Sequence, residues 1–194
     1  YRIKYDNWFK ESTLHNNGAV KAVIEKLKAG GHTYEKDGAL WLKATDFGGD
    51  QDFVLVRSNG FPTYIVPDIA YHYDKLITRA YDKAINVLGA DHHGYVQRMR
   101  IALSALGIDD KRLDVVIMQM VMLIRDGKPC KLSKRSGKAI TLTTLLDEVP
   151  IDAARFVFNQ RNADTHLEFD LDLAVEESSK NPVFYVQYAH ARIC

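Results

Sequence analysis

The first periodic stretch follows Asn17, where Val20, Val23, Ile24 and Leu27 recur at the i, i+3, i+4, i+7 spacing of one helical face. Gly30-Gly31 stops the pattern, so the spacing predicts a helix capped near Asn17. Over residues 38–45 the period shortens to two. Leu40, Leu42 and Ala44 share one face and Trp41 and Lys43 the other, as in a strand. Residues 53–57 and 61–66 flank Ser58-Asn59-Gly60, and Asn-Gly supplies the positive φ values of a tight hairpin. A small antiparallel sheet is expected.

Past Pro67, Asp68 is placed to cap a helix with Ile69, Tyr73, Leu76, Ile77 and Ala80 as apolar positions. Residues 85–88 read as a short buried strand and 89–93 as a loop, with Val96, Met99, Leu103 and Leu106 marking a helix that ends at Gly107. Residues 113–118 read as a further buried strand. Strand, helix and strand in that order imply a parallel βαβ unit, whose ligands bind at the carboxyl ends of strands, here the 89–93 loop. Residues 122–125 and 128–132 flank Asp126-Gly127, a second hairpin signal.

From Thr144 the pattern turns helical. Thr144 and Asp147 resemble a capping box, Asp152 is placed to cap a helix stapled by Ile151 and Phe156, and Asp170 and Asn181-Pro182 open two more. The expected fold class is α/β with an antiparallel insertion, followed by α-helices. The boundary falls near residue 143, giving segments 1–143 and 144–194.

Composition sharpens this. A chain of 194 residues, 46% hydrophobic and 26% charged, can bury a real core and reads as globular. Its longest apolar stretch, residues 115–124, is broken by Gln119 and too short to span a bilayer, so a membrane role is excluded. Cys130 and Cys194 belong to no metal-ligand spacing, which fits a reducing, cytoplasmic setting. The net charge of +1 gives no bulk attraction to nucleic acid. Charge is instead segregated: residues 127–146 hold Lys128, Lys131, Lys134, Arg135 and Lys138 with no acid, while 168–177 are acidic. From the start on Tyr1 and the end inside an apolar pattern, an internal piece of a longer protein is expected.

The basic run Lys131-Leu132-Ser133-Lys134-Arg135 is suited to phosphate handling, because flexible ammonium groups follow charge as it moves onto a leaving pyrophosphate. The alternative is a solvated basic turn. The run resembles the KMSKS signature of class I aminoacyl-tRNA synthetases, with leucine for methionine and arginine for the last serine. The arginyl family is also similar at DGALWL from Asp37, YIVPDIAYH from Tyr64, GADHHGYV from Gly89 and NPVFYVQYAHARI from Asn181, in family order across nearly the whole chain.

The resemblance implies the second half of a Rossmann-like catalytic domain, then helices leading into an anticodon-binding part. It implies a ligase that activates L-arginine with ATP, accompanied by Mg2+, and passes the arginyl group to tRNA(Arg), with no DNA partner. By the motif match Lys134 stabilises the transition state, and Lys131 and Ser133 shape the loop and assist ATP binding. Tyr64 and Asp68 correspond to arginine-binding positions, where a carboxylate pairs with the guanidinium and a phenol adds a hydrogen bond or π-face. The alternative is that Asp68 caps its helix and Tyr64 packs in the core. Asp91 and His92 correspond to the segment lining the nucleotide and amino-acid pocket, and Met120 and Val121 to backbone facing adenine. His93 reads as a surface histidine, and no residue is assigned to a metal.

The aromatics of the last stretch, Tyr185 and Tyr188 among them, are expected to pack against neighbouring helices, with direct RNA contact as the alternative. The HIGH-type segment of class I centres is absent, as are GxGxxG and GxxxxGK[ST]. The chain alone is therefore expected not to activate arginine. A non-catalytic binding module of the same fold, or a class I enzyme for another amino acid, are the rival readings.

Overall fold

Leu14, Val20, Val23 and Leu27 turn inward from two consecutive helices, α1 (Ser12–Asn16) and α2 (Ala19–Ala29), in a computed structural model that describes residues 1–130 and 141–194. Asn17 accepts from the amide of Ala19 at 3.0 Å, so it closes one helix and opens the next. The helices belong to the first of two compact units, Tyr5–Val116; the second is Ile117–Cys194 with Tyr1–Lys4.

In the first unit β1 (Thr33–Lys36), β2 (Ala39–Leu42) and β3 (Phe53–Val56) form an antiparallel sheet in that order. Asp37 and Gly38 take φ of 53° and 73° between β1 and β2, the left-handed pair of a tight hairpin that Gly adopts at no steric cost. Leu40 and Leu42 are buried while Trp41 is not, as the period of two requires. The strand ends sooner than expected, because Ala44–Phe47 form a short 3-10 turn.

The hairpin after β3 is cut short. Arg57 donates to Phe61 O at 2.9 Å and Thr63 to Leu55 O at 2.8 Å, but Pro62 has no amide to extend the ladder and only an isolated bridge to Val56 remains. The chain then enters α3 (Ile65–Tyr73), which continues as a π-helical turn, Asp74–Thr78. Arg112 closes that turn by donating to the carbonyls of Leu76, Tyr81 and Asp82 at 2.9, 2.6 and 3.0 Å.

Next come β4 (Ala84–Gly89), a 3-10 turn (Ala90–His92), α4 (His93–Ala105) and β5 (Leu113–Met118). β4 and β5 are hydrogen-bonded neighbours with α4 between them in sequence. The buried strand expected over 85–88 is only half buried: Ile85 and Val87 are 62% and 65% exposed. Successive side chains alternate between sheet faces, and the described residues cover only the face opposite Ile85 and Val87. Met99, Ile101, Ala102 and Leu103 seat α4 in the unit's core with Ile69 and Leu55.

In the second unit β6 (Val121–Arg125) and β7 (Lys128–Pro129) form the expected hairpin, with Asp126 and Gly127 at φ of 50° and 67°. α5 (Leu142–Leu146) is capped by Thr141, whose hydroxyl accepts from the Thr144 amide at 3.2 Å; the cap lies three residues before the predicted Thr144. α6 (Ile151–Phe158) begins after Pro150, so Asp152 lies in its first turn and pairs with Arg2 at 3.0 Å instead of capping.

The all-helical expectation past residue 143 is corrected by β8 (Leu167–Asp170), which pairs parallel to β6 through Val121–Leu167 and Leu123–Phe169. Leu167 and Phe169 face the core and Glu168 faces out. Asp170 caps α7 (Leu171–Val175), accepting from the amides of Asp172 and Leu173 at 3.0 and 2.9 Å, and Asn181 caps α8 (Pro182–Ile193). Within α8 only Val183 is buried, so Tyr185 and Tyr188 are exposed instead of packing between helices.

Candidate functional site

The start of α3 decides the site. Pro67 stands at its third position, where an amide would have no partner within the helix, so the helix can begin before the proline. Tyr64 and Asp68 thereby become neighbours one turn apart on a single face. Asp68 is inside the helix and does not cap it, and Tyr64 is 64% exposed, outside the core. The alternative roles of helix cap and core tyrosine are both overturned by this geometry.

Opposite this face stands α4, launched by the 3-10 turn at the carboxyl end of β4. Tyr95 lies in its first turn and donates its hydroxyl to Oδ2 of Asp68 at 2.6 Å. The Tyr95 ring stacks near Tyr64 at 6.4 Å and 23° and meets His92 edge-on at 6.1 Å and 90°. Burial, then the Asp68 carboxylate, raise the Tyr95 phenol well above its ordinary pKa, so it remains a donor.

Between these elements lies a cleft of about 320 Å³, walled by Tyr64, Asp68, His72, Asn86, His92 and Tyr95, with Lys75 also on its lining. An adjoining hollow of about 350 Å³ shares Tyr64, His92 and Tyr95 and adds Asp91, Gly94 and Arg98. Asp91 is well exposed there, with its carboxylate 3.7 Å from Nε2 of His92.

A part-buried polar chain, centred on the buried His72, supports the cleft. Nδ1 of His72 lies 2.7 Å from the Asp68 carbonyl, Asn86 donates to Nε2 at 2.8 Å, and Lys75 donates to Oδ1 of Asn86 at 3.2 Å. Desolvation lowers the pKa of His72 and of Lys75, and each has a neighbouring cation pushing the same way, Lys75 on His72 and Arg79 on Lys75. The Lys75 ammonium sits 4.6 Å over the Tyr71 ring, a contact that compensates part of its lost hydration.

The structure thus brings Tyr64, Asp68, Asp91 and His92 around two adjoining hollows of one unit. Met120, exposed, and Val121, at the start of β6, belong to the second unit. Lys131, Ser133 and Lys134 lie outside the described residues. Sequence reasoning passed over Tyr95, His72, Asn86 and Lys75. A signal for His72 exists: Tyr64, Asp68 and His72 recur every fourth residue on an otherwise apolar helix, a polar row only a cleft explains. Tyr95 and Asn86 carry no such signal.

Chemically, the cleft offers a carboxylate fixed at one oxygen, two aromatic rings and a neutral imidazole. That suits a planar cation, which takes hydrogen bonds in its plane and aromatic contact on its face.

The model for tRNA synthetases class I (R), catalytic domain, matches residues 6–193. An arginine–tRNA ligase of Caldanaerobacter subterraneus subsp. tengcongensis is 60% identical over the whole chain, and one of Bacillus subtilis is 53% identical. The chain spans about a third of the length of these curated relatives, 34% and 35%. A crystal structure of a Campylobacter jejuni protein assigned as an arginyl-tRNA synthetase superposes with a TM-score of 0.90 at 42% identity, over 99% of this chain and 41% of that one. The Thermus thermophilus arginyl-tRNA synthetase shares the fold, with a TM-score of 0.74 at 21% identity over 90% of this chain and 39% of that one.

Proposed function

Because the chain belongs to the class I arginyl-tRNA synthetase catalytic-domain family, we propose that it is the arginine-recognising and nucleotide-closing part of a cytoplasmic arginine–tRNA ligase. The complete enzyme activates L-arginine with ATP to an adenylate, releases pyrophosphate, and passes the arginyl group to a ribose hydroxyl at the end of tRNA(Arg). Magnesium arrives with the triphosphate as part of the substrate. The observation that carries the reading is the Asp68 carboxylate, held by Tyr95 in a cleft beside the exposed Tyr64 ring.

In this reading Asp68 pairs with the guanidinium, Tyr64 and His92 flank it, and Asp91 in the adjoining hollow accepts a ribose hydroxyl. Met120 and Val121 offer backbone groups to adenine. Activation is an in-line displacement at the α-phosphate that needs positioning and charge stabilisation, and no protein nucleophile. Lys134, with Lys131 and Ser133, meets the phosphates as charge moves onto the leaving pyrophosphate. Residues 1–143 serve the catalytic domain and 144–194 lead toward anticodon recognition. The 194-residue chain alone does not activate arginine, because it carries no HIGH-type segment.

Thermal unfolding of the chain with added amino acids tests the recognition, since a ligand stabilises only the state it binds. Arginine is expected to raise the midpoint while lysine and glutamate leave it unchanged, and Asp68→Asn to remove the arginine effect. Equal protection by lysine would point to another amino acid. Pyrophosphate exchange by the chain alone, above a Lys134→Ala control, would overturn the division of labour.

A further inference from the structure

Asp68 could reach a guanidinium from several rotamers, and a carboxylate that borders an open cleft ordinarily samples more than one. Here it does not stand alone. Tyr95 touches three of the four residues assigned to the two hollows: a hydrogen bond to Asp68, a stacked ring beside Tyr64 and an edge contact to His92. It comes from a different element, α4, which is seated in the core through Met99, Ala102 and Leu103. The position of its hydroxyl is therefore set by the core and not by the exposed side chains at the rim of the site.

We propose that Tyr95 is the positioning residue for the guanidinium-binding carboxylate: its hydroxyl fixes the plane of Asp68, and its ring fixes the approach of Tyr64 and His92. This rests on the reading of Asp68 as the arginine carboxylate. Each carboxylate oxygen has two acceptor sites, so Oδ2 keeps one while taking the Tyr95 hydroxyl. Among the described residues Oδ1 accepts no hydrogen bond, and the pair of oxygens remains able to meet the two parallel N–H groups of a guanidinium. Paired bonds of that kind demand a fixed carboxylate plane; a lysine ammonium, a point charge with rotating donors, does not. Tyr95 therefore acts on the choice of arginine over other cations through Asp68, without touching the reacting phosphate.

The test is arginine-dependent pyrophosphate exchange in the complete ligase that carries this segment, comparing wild type, Tyr95→Phe, Asp68→Asn and the double variant. Tyr95→Phe keeps the ring and removes only the hydroxyl. It is expected to raise the KM for arginine by roughly 10- to 100-fold, the range set by one hydrogen bond to a charged group. The KM for ATP, kcat and the thermal midpoint are expected to stay near wild type. The double variant is expected to be no worse than Asp68→Asn, because the Tyr95 hydroxyl works only through that carboxylate. An arginine KM within about twofold of wild type in Tyr95→Phe, with Asp68→Asn still crippled, overturns the positioning role and leaves the arginine cleft standing. A rise in both KM values with a lowered midpoint makes Tyr95 a structural residue and also overturns it. If Asp68→Asn is itself silent, the reading of the cleft fails first.

Discussion

Asn86 donates its side-chain amide to Nε2 of His72 at 2.8 Å, and the other ring nitrogen lies 2.7 Å from the Asp68 carbonyl. A carbonyl only accepts, so Nδ1 carries the proton and Nε2 must be bare to receive Asn86. The ring is neutral in this arrangement. Protonation would set an N–H against the Asn86 amide, in the place where burial already disfavours charge.

A pH dependence follows from the sign of that shift. The folded pKa of His72 lies below its ordinary 6.5, so between the two values the unfolded chain binds more protons. The contribution of His72 to stability is complete above pH 6.5 and is lost as the pH falls toward the folded pKa. Urea unfolding at intervals from pH 8 to 5 is expected to show the wild type losing stability more steeply below about 6.5 than His72→Gln does. Parallel curves would show that His72 does not contribute.

Two of the aspartates expected to open helices, Asp170 and Asp152, are expected to differ. Asp170 accepts from two backbone amides, and Asp170→Ala is predicted to cost about 1–2 kcal/mol. Asp152 makes only an exposed ion pair with Arg2, so Asp152→Ala is predicted to cost no more than about 1 kcal/mol. Urea midpoints of the two variants, at equal slopes, decide this.

Aromatic residues of the second unit divide the same way. Phe169 is fully buried on β8 and meets Phe158 at 5.2 Å, so Phe169→Ala is predicted to cost about 3–5 kcal/mol. Tyr185 on α8 is 60% exposed, and Tyr185→Ala is predicted to stay within about 0.5 kcal/mol. Chemical denaturation measures both, and a costly Tyr185→Ala would mean that the tyrosine packs.

Much of the chain was legible in advance because the relevant physics is local. Val20, Val23 and Leu27 specify α2 by period, Asp126-Gly127 specifies the β6–β7 turn by its φ values, and Asn181-Pro182 opens α8 as its chemistry dictates. The strand β8 was hidden because four residues among acids give little period to read, and its pairing partner, β6, lies more than forty residues away. The start of α3 (Ile65–Tyr73) is misplaced by a reading in which Pro67 is a break, although a proline at the third helical position removes no bond. The buried reading of Ile85 and Val87 failed because apolar identity says nothing about whether a second layer covers that face.

For the candidate site, the sequence by itself supplied the candidates: a tyrosine and an aspartate four apart and an Asp-His pair after a strand, with a basic run at Lys131–Arg135 that lies outside the described residues. Only the tertiary structure decided which of these meet. It set α4 against α3 so that Tyr95 reaches Asp68 across a separation of 27 residues, and it placed Asn86 and Lys75 behind His72. Local periodicity fixes a residue's face on its own element. Which face another element presents to it is settled by packing of the shared core, and that is a property of the whole chain.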